Sequence, residues 1–458
     1  MTAQVQPQEN AASQNSSTSP PILMGALAAT VGLFSILPHN SFTTPVSACF
    51  GFSFLAYLAT QLVIPYATEN FLKANLSGRD RLKASKPLLP ESLGLVSAVV
   101  YLITIYLFLP FPFAYNWTKN YSDSEPAALK IGSTNPHIEF SQFLSGLLSI
   151  QAMTLLGFAD DVFDIKWRHK VLMPAVAAVP LLIVYYISAG VTYVVVPFPL
   201  NRFISGLLDL GFLYYVYMGM VAIFCTNAIN ILAGANGVEV GQSVVLASTL
   251  IIFNLVHLQD EFPGIVAKHL LSLYLLVPFL AVSLPLLRCN WYPAKAFVGD
   301  TYCYFAGMVF AVVGILGHFS KTLLLFFAPQ IFNFVFSAPQ IFHILPCPRH
   351  RMPVLNTDTG LLEASRANLQ EVKLNPLQLR LISVAEFLGF IAVERGNTSP
   401  HGLLSMTNFT LLSFILVKRG PMREDRLALW VMFLQSLWSL LAFLIRYKLI
   451  YLFYNAYV

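Results

Sequence analysis

Five short polar runs interrupt an otherwise apolar chain, and each holds residue types suited to handling phosphate. The first is Gly78-Arg79-Asp80-Arg81-Leu82-Lys83, leading on to Pro90-Glu91-Ser92-Leu93-Gly94. The second is Gly157-Phe158-Ala159-Asp160-Asp161, followed by Asp164 and Trp167-Arg168-His169-Lys170. The third opens with Asn227 and Asn230 and continues through Gly234, Asn236 and Gly237 to Glu239. The fourth is Phe297-Val298-Gly299-Asp300, and the fifth Pro348-Arg349-His350-Arg351.

Phosphate transfer needs a divalent cation, cationic clamps and a positioned acceptor oxygen. Mg²⁺ takes one or two oxygens from the protein and the rest from phosphates and water. Asp300 and the amide oxygens of Asn227 or Asn230 suit it. Lys170, Arg349 and Arg351 suit the clamps. Adjacent carboxylates such as Asp160 and Asp161 point to different sides of a helix, so they cannot serve one metal equally. Asp160, Asp161, Lys170 and Asp300 are the candidate catalytic residues. Singly, each run has a plainer account: an interfacial cap, a positive anchor, helix-packing polarity or a basic turn. Their coincidence on one face is what counts.

That face follows from the elements that must carry the runs. The 458 residues are 56% hydrophobic and only 11% charged, against about 25% charged in soluble domains. Mean hydropathy is +0.66. The 37 Phe and 20 Tyr suit lipid contact and interfacial belts. The net charge of +5 gives no support for nucleic-acid binding. The five cysteines are scattered and lack CxxC spacing, which argues against a disulfide framework or a zinc site.

A span needs roughly 20 apolar residues. Candidates lie near 45–68, 93–115, 140–158, 171–189, 207–225, 243–257, 269–288, 297–317, 322–345 and 427–450. The expected fold is therefore an all-α polytopic membrane protein of about ten transmembrane helices. Residues 1–21 are polar and read as disordered. Residues 22–44 hold a short apolar stretch, 22–38, which reads as a signal anchor or an extra span, and a linker. Helices one to nine occupy 45–345, a polar insertion carrying the Pro-Arg-His-Arg run occupies 346–426, and the last helix lies in 427–458. Within the insertion, 377–393 and 402–417 look apolar or amphipathic.

Loops after odd-numbered spans share one side of the bilayer. They carry Lys73, Arg79, Arg81, Lys83 and Lys86, then Lys166, Arg168 and Lys170, and lastly Arg349, Arg351, Arg366 and Lys373. The even loops hold little beyond Lys119, Lys130, Arg202, Lys268 and Lys321. Short cytosolic loops carry the excess of Lys and Arg, so the odd loops, and with them all five runs, are expected in the cytosol. Two glycosylation sequons, at Asn116 and Asn120, fall in an even loop, as a lumenal side requires. Ionisable groups at membrane ends are costly and mark functional sites by default. A transporter would instead set its site near the midplane between repeats, and no repeat is evident. A noncatalytic scaffold leaves the clustering of runs without a reason.

Several long runs resemble the polyprenyl-phosphate sugar-1-phosphate transferases. They are Gly157–Asp161 with Trp167–Lys170, NAINILAGANGVE (227–239), VGDTYCYFAGM (298–308), VGILGHFSK (313–321) and CPRHR (347–351). The likeness runs from about residue 45 to the end. The CPRHR turn is similar to the eukaryotic branch that uses UDP-GlcNAc and dolichyl phosphate rather than to the bacterial cell-wall branch. The resemblance implies a Mg²⁺-dependent transfer of GlcNAc-1-phosphate at the cytosolic face of the endoplasmic reticulum membrane, the step that opens lipid-linked oligosaccharide assembly. It implies Asn230 and Asp300 as Mg²⁺ ligands, and Lys170 with the stretch 223–231 at the dolichyl phosphate. It implies Glu91, Asn236, Arg349, His350 and Arg351 at UDP-GlcNAc. Arg79, Asp80 and Arg81 would lie at the uridine side, where the inhibitor tunicamycin sits. Asp164 stands where animal members have Asn, and residues 1–44 have no counterpart in them. The implied partners are the two substrates and the bilayer, with a homodimer compatible and no nucleic acid. A phosphate monoester is already largely ionised near neutral pH, its second pKa being about 6. The Asp160–Asp161 pair is therefore expected to orient Lys170 or organise the metal site rather than act as a base.

Overall fold

The structure is a computed structural model that describes residues 43–113, 136–188, 190–196, 207–348, 351–370, 372–396 and 402–449. The expected disordered terminus 1–21, the apolar stretch 22–38, both sequons, Arg349 and His350 lie outside the described residues.

Among the described residues, nine helices are long and apolar enough to cross a membrane. In chain order the helices are α1 (Thr43–Lys73), α2 (Gly94–Phe108), α3 (Pro136–Phe163), α4 (Met173–Ser188), α5 (Phe212–Ile231), α6 (Val238–His257), α7 (Pro263–Asn290), α8 (Gly299–Leu316), α9 (Ser320–Phe326), α10 (Ala328–Ile341), α11 (Pro376–Phe387), α12 (Leu411–Arg419) and α13 (Glu424–Leu444). A π-helical turn, Ile445–Leu449, continues α13. The protein is an all-α polytopic membrane protein. The stretch expected as one straight span at 322–345 is two pieces, α9 and α10, bent by 70°. The bend leaves carbonyls without helical partners, which a bilayer does not satisfy. Helix α13 captures two of them: Trp438 Nε1 donates to Leu325 O at 2.7 Å and Gln435 Nε2 to Phe326 O at 3.0 Å.

Helix α8 is the axis of the bundle. Every residue from Thr301 to Leu316 is buried, as an all-round apolar helix requires. It packs on α3, α5, α7 and α2. Lipid supplies little hydrophobic drive between helices, so close backbone approach matters. At Gly307 the α5 backbone at Thr226 fills the space that a Cβ would need.

Short antiparallel strands cap the bundle. Strand β1 (Ser77–Arg79) pairs with β2 (Leu88–Pro90), Ser77 opposite Pro90. This hairpin is tied to the approach to α8: Phe297 N donates to Pro90 O at 2.8 Å, and Gly94 N to Val298 O at 2.9 Å. A second hairpin joins β3 (Tyr193–Val195) to β4 (Leu207–Asp209). The insertion before α13 is a small folded unit. It contains β5 (Val354–Leu355) paired with β6 (Leu362–Glu363), then a three-stranded sheet of β7 (Arg366–Asn368), β9 (Leu403–Thr407) and β8 (Val393–Arg395). Ala367, Leu369, Ile382, Ile391, Met406 and Phe409 form its core. Residues 402–417, which look apolar or amphipathic, contain a strand followed by a helix.

Candidate active site

The ends of α1, α3, α5, α7 and α10 and the starts of α2, α6, α8 and α13 meet at one end of the bundle. Parity of the loops predicts this gathering, and two adjoining recesses there are lined by residues of all five polar runs.

Asp300, in the first turn of α8, lies at the junction. Its Oδ1 accepts from Asn230 Nδ2 at 2.9 Å and its Oδ2 from Lys170 Nζ at 3.1 Å. Its side chain keeps 29% exposure, enough to meet a ligand. Lys170 ends a one-turn helix, Trp167–Lys170, and its Nζ also reaches Asp160 Oδ1 at 2.9 Å. Asp160 is buried, and its remaining capacity is taken by Ile165 N at 3.0 Å and Tyr304 Oη at 3.1 Å. A carboxylate so engaged positions Lys170.

Asp161 does different work. Its Oδ1 accepts from Asp300 N at 2.7 Å, and its Oδ2 accepts from Thr301 N at 3.2 Å and from the Thr301 hydroxyl. It caps α8 from another helix, satisfying N–H groups that a helix start leaves open and placing negative charge at the positive end of the dipole. Gly299 has φ +73°, and the Asp161 carboxylate lies where its Cβ would be. Glycine is thus required twice over at this position.

The larger recess is a cleft of about 1190 Å³ lined by Arg79, Asp80, Arg81, Glu91, Asn230, Asn236, Glu239, Phe297, Asp300 and Met352, among others. Its size suits a nucleotide sugar. Arg79 and Arg81 are exposed at its mouth. Glu91 faces the same opening. Desolvation by the surrounding protein, then repulsion from Asp161 and Asp300, raises its carboxyl above the usual range. Asp80 is only 1% exposed. It accepts from Leu82 N at 3.0 Å and from Asn236 Nδ2 at 3.0 Å, and it pairs with Lys83 at 3.3 Å. Asp80 therefore aims Asn236.

The smaller recess, about 320 Å³, is lined by Lys170, Asn227, Asn230, Asp300, Tyr304, Asn333 and Arg351. Arg351 Nη1 is buried there with no hydrogen-bond partner among the described residues. A buried guanidinium with an open donor invites an anion. Asn227 Nδ2 donates back to Ile223 O at 2.8 Å, which fixes its amide against α5. Asp164 is exposed with φ +47°, away from the hydrogen bonds of the centre.

The donor set fits Mg²⁺. Among the described residues, no group of three His, Cys, Asp or Glu could hold a metal. Mg²⁺ needs no such cage when a diphosphate supplies oxygens. Asp300 and Asn230 are hard oxygen donors side by side, and an amide can turn either of its atoms to the same neighbour.

Some contributors are not legible as site residues. Glu424 accepts from Asn236 N at 2.8 Å and pairs with Lys83, both contacts within a buried network. Glu424 reads as an ordinary acid at a helix start, and Lys83 as one more positive-inside residue; Lys83 lies 4.4 Å from the Tyr292 ring centre. Tyr304 and Thr301 sit inside an apolar run and carry no distinct signal. The run 313–321 lies at the far end of α8, on the order of 27 Å from Asp300 at 1.5 Å per residue. There the His318 imidazole contacts the Tyr185 hydroxyl at 3.4 Å. Burial, with a smaller contribution from Lys268, pushes its pKa down to about 4.

A family model for glycosyl transferase family 4 matches residues 143–318, the stretch that supplies Asp160, Asp161, Lys170, Asn230 and Asp300. The chain is 48% identical over 416 residues to the UDP-N-acetylglucosamine–dolichyl-phosphate N-acetylglucosaminephosphotransferase of Schizosaccharomyces pombe, covering 89% of this chain and 93% of that one. It is 44% identical over 419 residues to the protein of the same name in Saccharomyces cerevisiae, covering 90% and 93%. Likeness to a probable undecaprenyl-phosphate N-acetylglucosaminyl 1-phosphate transferase of Bacillus subtilis is 32% and covers 37% of this chain and 42% of that one.

Proposed function

The chain belongs to the UDP-N-acetylglucosamine–dolichyl-phosphate N-acetylglucosaminephosphotransferase family, and from that premise we infer that it transfers GlcNAc-1-phosphate from UDP-GlcNAc to dolichyl phosphate. The products are GlcNAc-diphosphodolichol and UMP, and the step opens lipid-linked oligosaccharide assembly for protein N-glycosylation. The observation that carries the reading is Lys170 held between Asp160 and Asp300, 2.9 and 3.1 Å away, in the smaller recess beside Asp300, which lines both recesses.

The larger cleft takes the nucleotide sugar, with Asn236 aimed by Asp80 and Glu424 and with Arg79, Arg81 and Glu91 at its mouth. The smaller recess takes the acceptor phosphate between Lys170 and Arg351. An acceptor oxygen attacks the β-phosphorus, and the bond to UMP breaks. Bound at Asp300 and Asn230, Mg²⁺ supplies charge neutralisation for the diphosphate. Lys170 fixes the acceptor phosphate and offsets its charge, so attack is effectively intramolecular. Both carboxylates of the Asp160–Asp161 pair are occupied by hydrogen bonds, and the acceptor is already ionised. No general base is required. Arg349 and His350, beside Arg351 in sequence and outside the described residues, would add donors for UDP-GlcNAc.

The excess of Lys and Arg in the loops at this end supports a cytosolic site; the endoplasmic reticulum membrane is inferred from the proposed reaction, the opening step of lipid-linked oligosaccharide assembly. The test is direct. Purified protein with UDP-GlcNAc, dolichyl phosphate and Mg²⁺ releases UMP, and chelation stops it. Absence of UMP, with uptake of nucleotide sugar by proteoliposomes, would sink the reading in favour of transport.

A further inference from the structure

Helix α11 has apolar side chains on two opposite faces. Ile382 and Ala385 turn into the core of the insertion. On the other side Leu377, Val384, Phe387 and Leu388 are 62, 57, 90 and 51% exposed. Positions 377, 384 and 388 repeat at helical spacing and form one stripe, with Phe387 flanking it. A contiguous apolar stripe of this kind marks an interaction surface.

We propose that the stripe is a membrane-surface contact, resting at the head-group boundary of the leaflet into which the active-site end opens. Continuity with the lipid-facing bundle supports it. Gln378 Nε2 donates to Ile344 O at 2.6 Å, which sets the start of α11 beside the point where α10 leaves the bilayer. Phe342 and Ile344 there are themselves exposed, so the apolar surface runs on from the span onto α11. The charges agree. Arg380 is exposed on the stripe's side and Lys373 just before the helix, where long cationic side chains reach lipid phosphates. The acid of the helix, Glu386, lies on the opposite side and is held by Arg395 at 2.8 and 2.7 Å.

The contact has a consequence for the site. The insertion also carries Arg351, whose carbonyl accepts from Ser365 Oγ at 3.3 Å. Seating α11 on the bilayer therefore holds Arg351 at a set height above the lipid phosphates. This consequence, unlike the contact itself, rests on the acceptor being a lipid phosphate.

The full chain carrying Phe387→Trp in phosphatidylcholine proteoliposomes tests the contact. The signal is the emission added to that of the five native tryptophans. The contact requires that this emission be quenched by lipids with brominated chains and shielded from acrylamide in the water. Quenching by acrylamide alone overturns it, as does shielding that appears only when the chain self-associates. The reading does not depend on turnover. For the consequence, Val384→Asp with Phe387→Asp is compared on two acceptors. A raised KM for long-chain polyprenyl phosphate in bilayers, with unchanged use of a short soluble acceptor in detergent, supports it. Equal loss on both overturns it.

Discussion

Asp161 accepts the backbone N–H of Asp300 at 2.7 Å, so one acid of the pair on α3 fixes the helix turn that carries the other key acid. Its neighbour Asp160 instead holds Lys170 at 2.9 Å. Two adjacent carboxylates thus control two parts of one centre from different sides of a helix.

The two are separable by mutation. Loss of a side-chain cap costs about 0.5–2 kcal/mol, so Asp161→Ala lowers the thermal midpoint as well as turnover. Asp160→Asn keeps an oxygen for Ile165 N and Lys170 Nζ and an amide N–H for Tyr304 Oη, but removes the charge that holds Lys170. It raises KM for the acceptor by about tenfold or more, the equivalent of roughly 1.4 kcal/mol, with a smaller change in midpoint. Kinetics at varied dolichyl phosphate and scanning of thermal unfolding distinguish them. A loss of over about 10³-fold with a displaced pH profile in both variants would instead indicate base catalysis.

Asp300→Ala removes the group that meets both Lys170 and Asn230. Removal of one preorganised electrostatic group costs about 10²–10³ in kcat, and the same range is expected here at saturating Mg²⁺, read as UMP release. Near-normal turnover would remove Asp300 from the metal assignment.

Glu424→Ala leaves Asn236 N without its buried acceptor and leaves Lys83 with Asp80 alone. An unsatisfied buried donor costs about 1–3 kcal/mol, so the midpoint falls. KM for UDP-GlcNAc rises while acceptor KM holds. Glu424→Gln, which keeps an acceptor for Asn236 N, recovers part of the donor affinity. Equal effects on both substrates would show that Glu424 supports the fold alone.

His318 gives a pH signature. Its folded pKa, about 4, lies below the ordinary imidazole value of 6.5. The unfolded chain therefore binds the proton first, and stability present above pH 6.5 is lost as pH falls toward 4. His318→Asn suits the left-handed backbone at φ +57° and lacks this titration. The gap between wild-type and variant midpoints should change across that window and stay flat above it.

Span positions are legible because lipid demands long apolar helices, and the site face because loop charge obeys parity. The bend at Phe327 is not, since 322–345 reads as one apolar stretch. What satisfies the bend comes from Gln435 and Trp438, over a hundred residues later. That Asp160 and Asp161 must diverge follows from helical geometry alone. Which of them meets Lys170 depends on how α3 packs on α8. Glu424 escapes notice because an acid in a first helical turn is ordinary, and only its distant partners make it more.

Those partners have a consequence in time. Glu424 meets Asn236 across 188 residues and Lys83 across 341. A ribosome releases both partners long before α13 emerges. Until the last span is inserted, the nascent chain holds an unfinished donor cleft that lacks the acid joining its two walls. The wall that aims Asn236 is therefore completed only once α13 is in place, and a chain truncated before α13 should lack the contacts of Glu424 with Asn236 and Lys83.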